Sequence, residues 1–237
     1  MAHLASCSGS TLTPDVSNLM SKHQQSSSRF SDLLHYFEHR DPQQIKTIPH
    51  PDESVNRLLE SNHDSLRRAA VLIPVTRQFE SRQAEVVLTV RSENLTSHAG
   101  QISLPGGSWE AEDQDSVATA LRESEEEIGL HRHKVDVLGN LGEMPLPSGY
   151  RITPVIGIIE PEQNFIPCPR EVADIFQAPL ELVLDTSAYR SSVMEYNNKS
   201  RRILELMYED YRIWGATAAI LYHLAREVEQ LRNRIRD

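Results

Sequence analysis

Three glutamates lie close together in one short stretch of the sequence: Glu123, Glu126 and Glu127. In a helix the spacing i, i+3 and i+4 places the three side chains on one face, so their carboxylates converge. Like charges at this spacing repel each other, and a bound divalent cation would remove the conflict. Oxygen ligands of this kind suit Mg²⁺ or Mn²⁺, and Arg122 is spaced to pair with Glu126. The alternative is a solvated Glu-rich surface.

The residues around the glutamates predict the helix that positions them. Asp113 or Asp115 can cap its first turn, because either side chain accepts hydrogen bonds from free N–H groups. Gly129 suits the left-handed conformation that ends a helix. Upstream, Gly106 and Gly107 predict a tight turn after a short apolar strand. Residues at helical spacing are predicted to face a core: Val117, Leu121 and Ile128, with Ala120 and Ser124 between them.

The order of residues around the glutamates resembles the Nudix box, G-x5-E-x7-R-E-U-x-E-E-x-G-U, in which U is apolar. Residues 122–130 match the second half of the box, except that Ser124 lies at an apolar position. The first half departs from the pattern, because Asp113 replaces the first Glu. Arg122 also lies one residue farther from Gly107 than in the general pattern.

A second signature lies upstream of the box. Residues 88–92 read L-T-V-R-S, residues 98–101 read H-A-G-Q, and residues 104–107 read L-P-G-G. Together they resemble the signature L-T-x-R-S … H-x-G-Q … P-G-G of the coenzyme A pyrophosphatase branch of the Nudix hydrolases. In that branch the longer box with an Asp is the norm. The resemblance extends from about residue 69 to residue 225, about two-thirds of the chain.

The resemblance implies roles for individual residues. Glu123 and Glu127 would be metal ligands, Glu126 a further ligand or the base that orients water, and Arg122 part of the catalytic set. The positions expected to shape the substrate site are Arg91, Ser92, His98, Gln101, Gly106 and Gly107.

Some of these roles have alternatives. Arg91 either clamps a phosphate or forms a surface ion pair. His98 is expected to have a structural or substrate-orienting role, and Gln101 is expected to bond loop backbone. Glu171 is a possible extra base or metal ligand, because some Nudix enzymes draw one from a similarly placed loop. A helix-capping acid is the favoured interpretation of Glu171.

Composition limits the classes of function. The chain has 34 acidic and 24 basic residues and a net charge of −10, which argues against a broad basic face for nucleic acid. No apolar run reaches the length of a membrane span, and the N-terminus lacks the features of a secretory signal. Cys7 and Cys168 lack metal-ligand spacing and are interpreted as reduced thiols, which indicates a cytoplasmic protein. We expect a monomer or homodimer that acts on a small molecule.

The chain order predicts three regions. Residues 1–27 are Ser- and Gln-rich and are predicted to be disordered. Residues 28–67 form an extension with short helices near 28–39 and 55–59 and a Pro-rich loop; its first helix would dock on the domain, or else mediate dimerisation. Residues 68–237 form the catalytic domain. Apolar patterns predict strands at 69–75, 84–90, 101–104, 135–141 and 152–159, a helical or turn segment at 175–183, a hairpin within 192–213 and a long C-terminal helix from residue 217.

Strands with helices on both faces predict an α/β/α sandwich, and the Nudix resemblance implies the same fold with a mixed central sheet. The implied reaction is metal-dependent cleavage of the diphosphate of coenzyme A and its derivatives. The products would be 3′,5′-ADP and 4′-phosphopantetheine or its acyl form. A Nudix pyrophosphatase acting on ADP-ribose, NADH or dinucleoside polyphosphates is the alternative. A non-catalytic nucleotide-binding module is disfavoured, because the Arg-Glu … Glu-Glu set is complete.

Overall fold

The computed structural model describes residues 28–41, 45, 47–60, 65–196 and 199–236. The predicted disordered tail, 1–27, and Cys7 lie outside these ranges. No helix in the described ranges is both long enough and apolar enough to cross a membrane.

The centre of the molecule is a mixed eight-stranded sheet. Its strands are β1 (Arg67–Thr76), β2 (Glu85–Arg91), β3 (Ile102–Ser103), β4 (Gly106–Ser108), β5 (Asp136–Asn140), β6 (Met144–Leu146), β7 (Tyr150–Ile159) and β8 (Val172–Pro179). The principal order is β3-β2-β1-β7-β5, while β4 pairs with β1, β6 with β7 and β8 with β2. β1 and β7 run parallel over ten residue pairs, and every other pairing in this sheet is antiparallel. Because β1 and β7 are buried on both faces, their sequences are nearly continuous apolar runs.

Helices cover both faces of the sheet. They are α1 (Arg29–His39), α2 (Glu53–Glu60), α3 (Ser116–Ile128), α4 (Leu180–Val183) and α5 (Gly215–Arg236). Side chains of β1 alternate between two cores: Ala70 and Leu72 pack in the core with α3, whereas Ile73 and Val75 pack in the core that includes α1, α4 and α5. The predicted α/β/α sandwich with a mixed sheet and a long C-terminal helix is therefore confirmed.

A smaller antiparallel sheet precedes the last helix. Its strands are β9 (Arg190–Tyr196), β10 (Lys199–Tyr208) and β11 (Tyr211–Trp214), in the order β11-β10-β9. β9 and β10 form the predicted hairpin. Leu206 and Ile213 bury their side chains in the core beneath α5.

The N-terminal extension packs on this domain. α1 is the predicted helix, with Ser28 as its cap, and it lies against α5, α4 and β5. Phe30 and Leu33 join the core on that side. Ile48 is buried and its N–H donates to Glu143 O over 2.9 Å. Docking, the favoured alternative, is what the structure contains.

Two local predictions were wrong. Gly106 and Gly107 do not form a tight turn; they lie in β4, where Gly107 pairs with Ala70 of β1. The segment that was predicted to be helical or a turn begins with a strand, because β8 completes a ladder with β2 from Glu85 to Arg91. Only its end, α4, is helical.

Candidate active site

α3 carries the three glutamates between two well-formed ends. Asp115 is the N-cap, and its side chain accepts a 2.8 Å hydrogen bond from Ala118 N–H. Gly129 ends the helix at φ 67°, a left-handed conformation that favours glycine. Ser124 is fully buried at the apolar position of the box, and its hydroxyl donates to Ala120 O over 2.7 Å. That hydrogen bond satisfies the only polar group that Ser124 adds to the core.

Arg122 is the centre of the hydrogen-bond network on α3. Its Nη1 donates to Glu123 Oε1 over 3.1 Å and to Glu126 Oε2 over 3.2 Å. Its Nη2 donates to the backbone oxygen of Ser108 in β4 over 2.9 Å. The predicted pair between Arg122 and Glu126 is thus present, but it is one of several contacts. Arg122 ties the glutamate face of α3 to the edge of the sheet.

Asp113 anchors that network from the loop before α3. Its carboxylate accepts hydrogen bonds from Arg122 Nε over 3.1 Å and Nη2 over 3.0 Å. Thr119 Oγ1 and Glu110 N–H donate to the same carboxylate. These donors, led by Arg122, hold the pKa of Asp113 at about 2. The helix itself is capped by Asp115, so the two Asp residues have different tasks.

Glu127 is the most buried of the three glutamates, with only 4% of its surface exposed. Its Oε2 accepts a 2.9 Å hydrogen bond from Gly106 N–H in β4. Burial raises the pKa of the Glu127 carboxyl to about 7, although the Gly106 N–H and the charge of Arg91 oppose the shift. Glu123 and Glu171 raise it further. The site therefore holds more negative charge than its own cations neutralise.

Gly107 leaves room for Glu123. A Cβ atom on Gly107 would lie 2.5 Å from the carboxyl carbon of Glu123, far inside van der Waals contact. The pairing of Gly107 with Ala70 fixes this part of β4 against the sheet. The two glycines are required because a strand passes close to the carboxylates: Gly106 donates to one carboxylate and Gly107 makes room for another.

Glu171 reaches the same cluster through the loop before β8. Within this loop, Ile166 N–H donates to Ile128 O and Cys168 N–H donates to Glu127 O, which satisfies carbonyl groups at the end of α3. Ser92 N–H then donates to Glu171 O over 2.8 Å. The charge of Glu171 raises the pKa of Glu123 and of Glu127, after burial and other larger contributions. No helix follows Glu171, so its interpretation as a helix-capping acid was wrong.

The upstream signature residues fall into two groups. Arg91 ends β2 and lies close enough to Glu127 to lower its pKa; within the described ranges its Nε is buried without a hydrogen-bond partner. Ser92 is buried, and its hydroxyl accepts from Asn94 N–H over 3.3 Å. His98 Nδ1 and Gln101 Oε1 lie 3.0 Å apart on the next loop. Gln101 therefore bonds the His98 side chain, not loop backbone alone, and neither residue contacts a box carboxylate through a described hydrogen bond.

The residues present fit a divalent cation. Glu123, Glu126, Glu127 and Glu171 supply only carboxylate oxygens, which suit a hard cation. Burial and mutual repulsion raise the pKa of Glu123 and Glu127, as expected for carboxylates gathered without a cation. Arg122 now bridges Glu123 and Glu126, and three ligand atoms of the box do not meet within 4.8 Å.

Comparisons with known proteins agree with this geometry. Residues 66–194 match the NUDIX domain family model. The "Uncharacterized Nudix hydrolase NudL" of Photorhabdus laumondii is 39% identical over 166 residues, covering 70% of this chain and 87% of the relative. The protein of the same name from Yersinia pestis (strain Pestoides F) is 39% identical over 183 residues, covering 76% and 89%.

Solved structures similar to this chain include two with Nudix-type titles. The Nudix hydrolase RenU from M. smegmatis has a TM-score of 0.48 at 20% identity and covers 70% of this chain and 86% of its own. A C. elegans Ap4A hydrolase binary complex has a TM-score of 0.41 at 16% identity and covers 48% and 80%. The family model and the relatives in sequence decide the matter: this chain belongs to the Nudix hydrolase family. Enzymes of this family generally use divalent metal ions.

Proposed function

We propose that this enzyme hydrolyses the diphosphate bond of coenzyme A and its derivatives, with Mg²⁺ or Mn²⁺ as its metal. The products would be 3′,5′-ADP and 4′-phosphopantetheine, or the acylated form of the latter. The proposal includes a cytoplasmic location and a monomer or homodimer.

The observation that carries this proposal is the position of Arg91 in the signature L-T-V-R-S. Arg91 lies beside the buried Glu127, and its Nε has no hydrogen-bond partner among the described residues. A buried guanidinium with an unused donor is suited to bind a diphosphate oxygen. Ser92 supports the same arrangement, because its N–H holds the backbone of Glu171 near the box. The signature thus joins strand β2, the box and the loop before β8.

Each charged residue has a role in the proposed reaction. Glu123 and Glu127 would hold the metal, with Glu126 or Glu171 as a further ligand, and the bound metal would supply charge neutralisation on the diphosphate. Arg122 fixes the carboxylate of Glu123. Glu126, whose side chain is 58% exposed, can accept a proton from the attacking water. Glu171 is the second candidate for that base. Arg91 would bind the diphosphate.

The experiment is mass-resolved product analysis of coenzyme A incubated with the protein and Mg²⁺ or Mn²⁺. Parallel reactions contain EDTA, or the Glu123→Gln variant. Formation of 3′,5′-ADP and 4′-phosphopantetheine, lost in both parallel reactions, is expected. Cleavage of ADP-ribose, NADH or a dinucleoside polyphosphate without cleavage of coenzyme A would overturn the substrate and keep the metal site. Cleavage of none of these would favour the nucleotide-binding module.

A further inference from the structure

A second group of metal-ligating side chains lies on α1, outside the Nudix box. His35, Glu38 and His39 are spaced i, i+3 and i+4, so they share one face of the helix. One potential ligand atom from each lies within 4.8 Å of the other two. No other three His, Cys, Asp or Glu side chains in the described ranges, those of the box included, meet at this distance.

The donor types distinguish this group from the box. Two imidazoles and one carboxylate suit Zn²⁺ and its borderline neighbours in the first transition series, whereas the all-carboxylate box suits Mg²⁺ or Mn²⁺. Two histidines four residues apart on a helix form the spacing at which zinc is bound in helical H-E-x-x-H and H-x-x-E-H motifs. Residues 35–39 read H-Y-F-E-H.

A hydrogen bond already fixes the state of His39. Its Nδ1 lies 3.0 Å from the backbone oxygen of His35, and a carbonyl oxygen can only accept. Nδ1 therefore carries the proton, and Nε2 keeps its lone pair for a ligand. Metal-bound histidines commonly donate their other ring N–H to a carbonyl or carboxylate in this way. The rings of His35 and His39 lie 3.9 Å apart between centroids.

The group can close around an ion without moving the helix. Tetrahedral zinc with Zn–N distances of about 2.0–2.1 Å places its ligand atoms about 3.3 Å apart. Glu38 and His39 are exposed and His35 is half-buried, so rotation about side-chain bonds can make this adjustment. The next cation, Arg40, is held elsewhere: it donates to Asn140 O over 2.6 Å and lies over the Phe37 ring.

We propose that His35, Glu38 and His39 bind one Zn²⁺-class ion on α1, as a metal site separate from the Nudix box. The ion would link the last two turns of α1. Because α1 packs on α5, α4 and β5, binding would stabilise the docking of the N-terminal extension on the domain.

The test is calorimetric titration of the full chain with Zn²⁺ in an excess of Mg²⁺, which occupies the all-oxygen box. One zinc ion per chain is expected. The double variant His35→Gln/His39→Gln should bind about 10–100-fold more weakly. The matched control is His131→Gln/His133→Gln, a surface pair whose rings lie 5.5 Å apart beside Glu125; it should bind as the wild type does.

Thermal unfolding supplies a readout that does not depend on activity. Zinc should raise the Tm of the wild type and of the His131/His133 control, but not that of the His35/His39 variant, because only a ligand of the folded state stabilises it. Zinc binding should also survive in Glu123→Gln/Glu127→Gln. The proposal is overturned if the wild type binds no zinc, if the His35/His39 variant binds like the wild type, or if only the box variant loses binding.

Discussion

Arg122 holds Asp113 with two nitrogen atoms: Nε lies 3.1 Å from Oδ1, and Nη2 lies 3.0 Å from Oδ2. The remaining nitrogen of the guanidinium reaches Glu123 and Glu126. A buried carboxylate in the loop before α3 therefore sets the position of two carboxylates on the helix. Asp113 occupies the place of the first Glu of the general box, and the shorter side chain still makes the bidentate contact.

The first prediction concerns Asp113→Asn. Asparagine keeps the size of the side chain but loses the charge that orients Arg122, so Glu123 and Glu126 lose their fixed position. We expect turnover to fall about 10–100-fold and the free energy of unfolding to fall by about 1–3 kcal/mol. Kinetics and chemical denaturation measure both. Glu112→Gln, one residue away and exposed, is the control, and equal turnover in the two variants would contradict the positioning role.

A pH dependence of stability follows from the same contact. The folded-state pKa of Asp113 is about 2, below the value of about 3.9 for an unfolded Asp. The stabilisation is therefore present above about pH 4 and is lost as the pH falls towards 2. Thermal unfolding between pH 2 and pH 6 should show a wild-type advantage over Asp113→Asn that shrinks with acid. An advantage independent of pH would show that the charge is not its source.

Glu123→Gln and Glu127→Gln are each expected to lower turnover by about 10²–10³-fold. Glutamine is nearly isosteric, and at position 127 its oxygen can still accept from Gly106 N–H, so the fold should persist. Glu125→Gln is the control on the same helix, because Glu125 pairs with His131 and Arg132 and not with the box. Steady-state kinetics with a circular-dichroism melt compares the three. Full turnover in Glu123→Gln would remove it from the site.

The two glycines of β4 should fail in different ways. A methyl group on Gly106 would meet the backbone of Ala70 and Val71, so Gly106→Ala should lower the Tm and the yield of folded protein. A methyl group on Gly107 meets only the carboxylate of Glu123, which can move. Gly107→Ala should therefore fold, yet need more Mn²⁺ or Mg²⁺ for half-maximal activity. Metal titration of activity, with thermal unfolding, separates the two outcomes; identical behaviour would contradict them.

Glu171→Gln tests the fourth carboxylate. Glu171 raises the pKa of Glu123 and Glu127, so it lies near the reacting centre, and we expect a loss of kcat of about 10²-fold or more if it is the base or a ligand. Glu162→Gln, an exposed residue of the same loop, is the control. Comparison with Glu126→Gln assigns the base, because the pH–rate profile should lose its acidic limb only in the variant that lacks the base. Wild-type kcat in Glu171→Gln would leave that role to Glu126.

The sequence predicted the features that depend on local chemistry. α3 could be placed because a capping Asp, a terminal glycine and helical apolar spacing all lie within one short stretch. α5 could be placed from its long apolar periodicity, and β1 and β7 from apolar runs that are typical of strands buried on both faces. The box and the signature beside it were legible for the same reason: each is a short run of residues with fixed spacing.

Tertiary structure decided the features that depend on a distant partner. Residues 172–179 form a strand because β2 offers them a backbone ladder, and no local pattern reports that partner. Gly106 and Gly107 form a strand because β1 pairs with them. Glu171 reaches the box because the preceding loop satisfies carbonyl groups at the end of α3. The sequence by itself determined which side chains can do the chemistry, whereas long-range hydrogen bonding decided how β4 and Glu171 are brought to them.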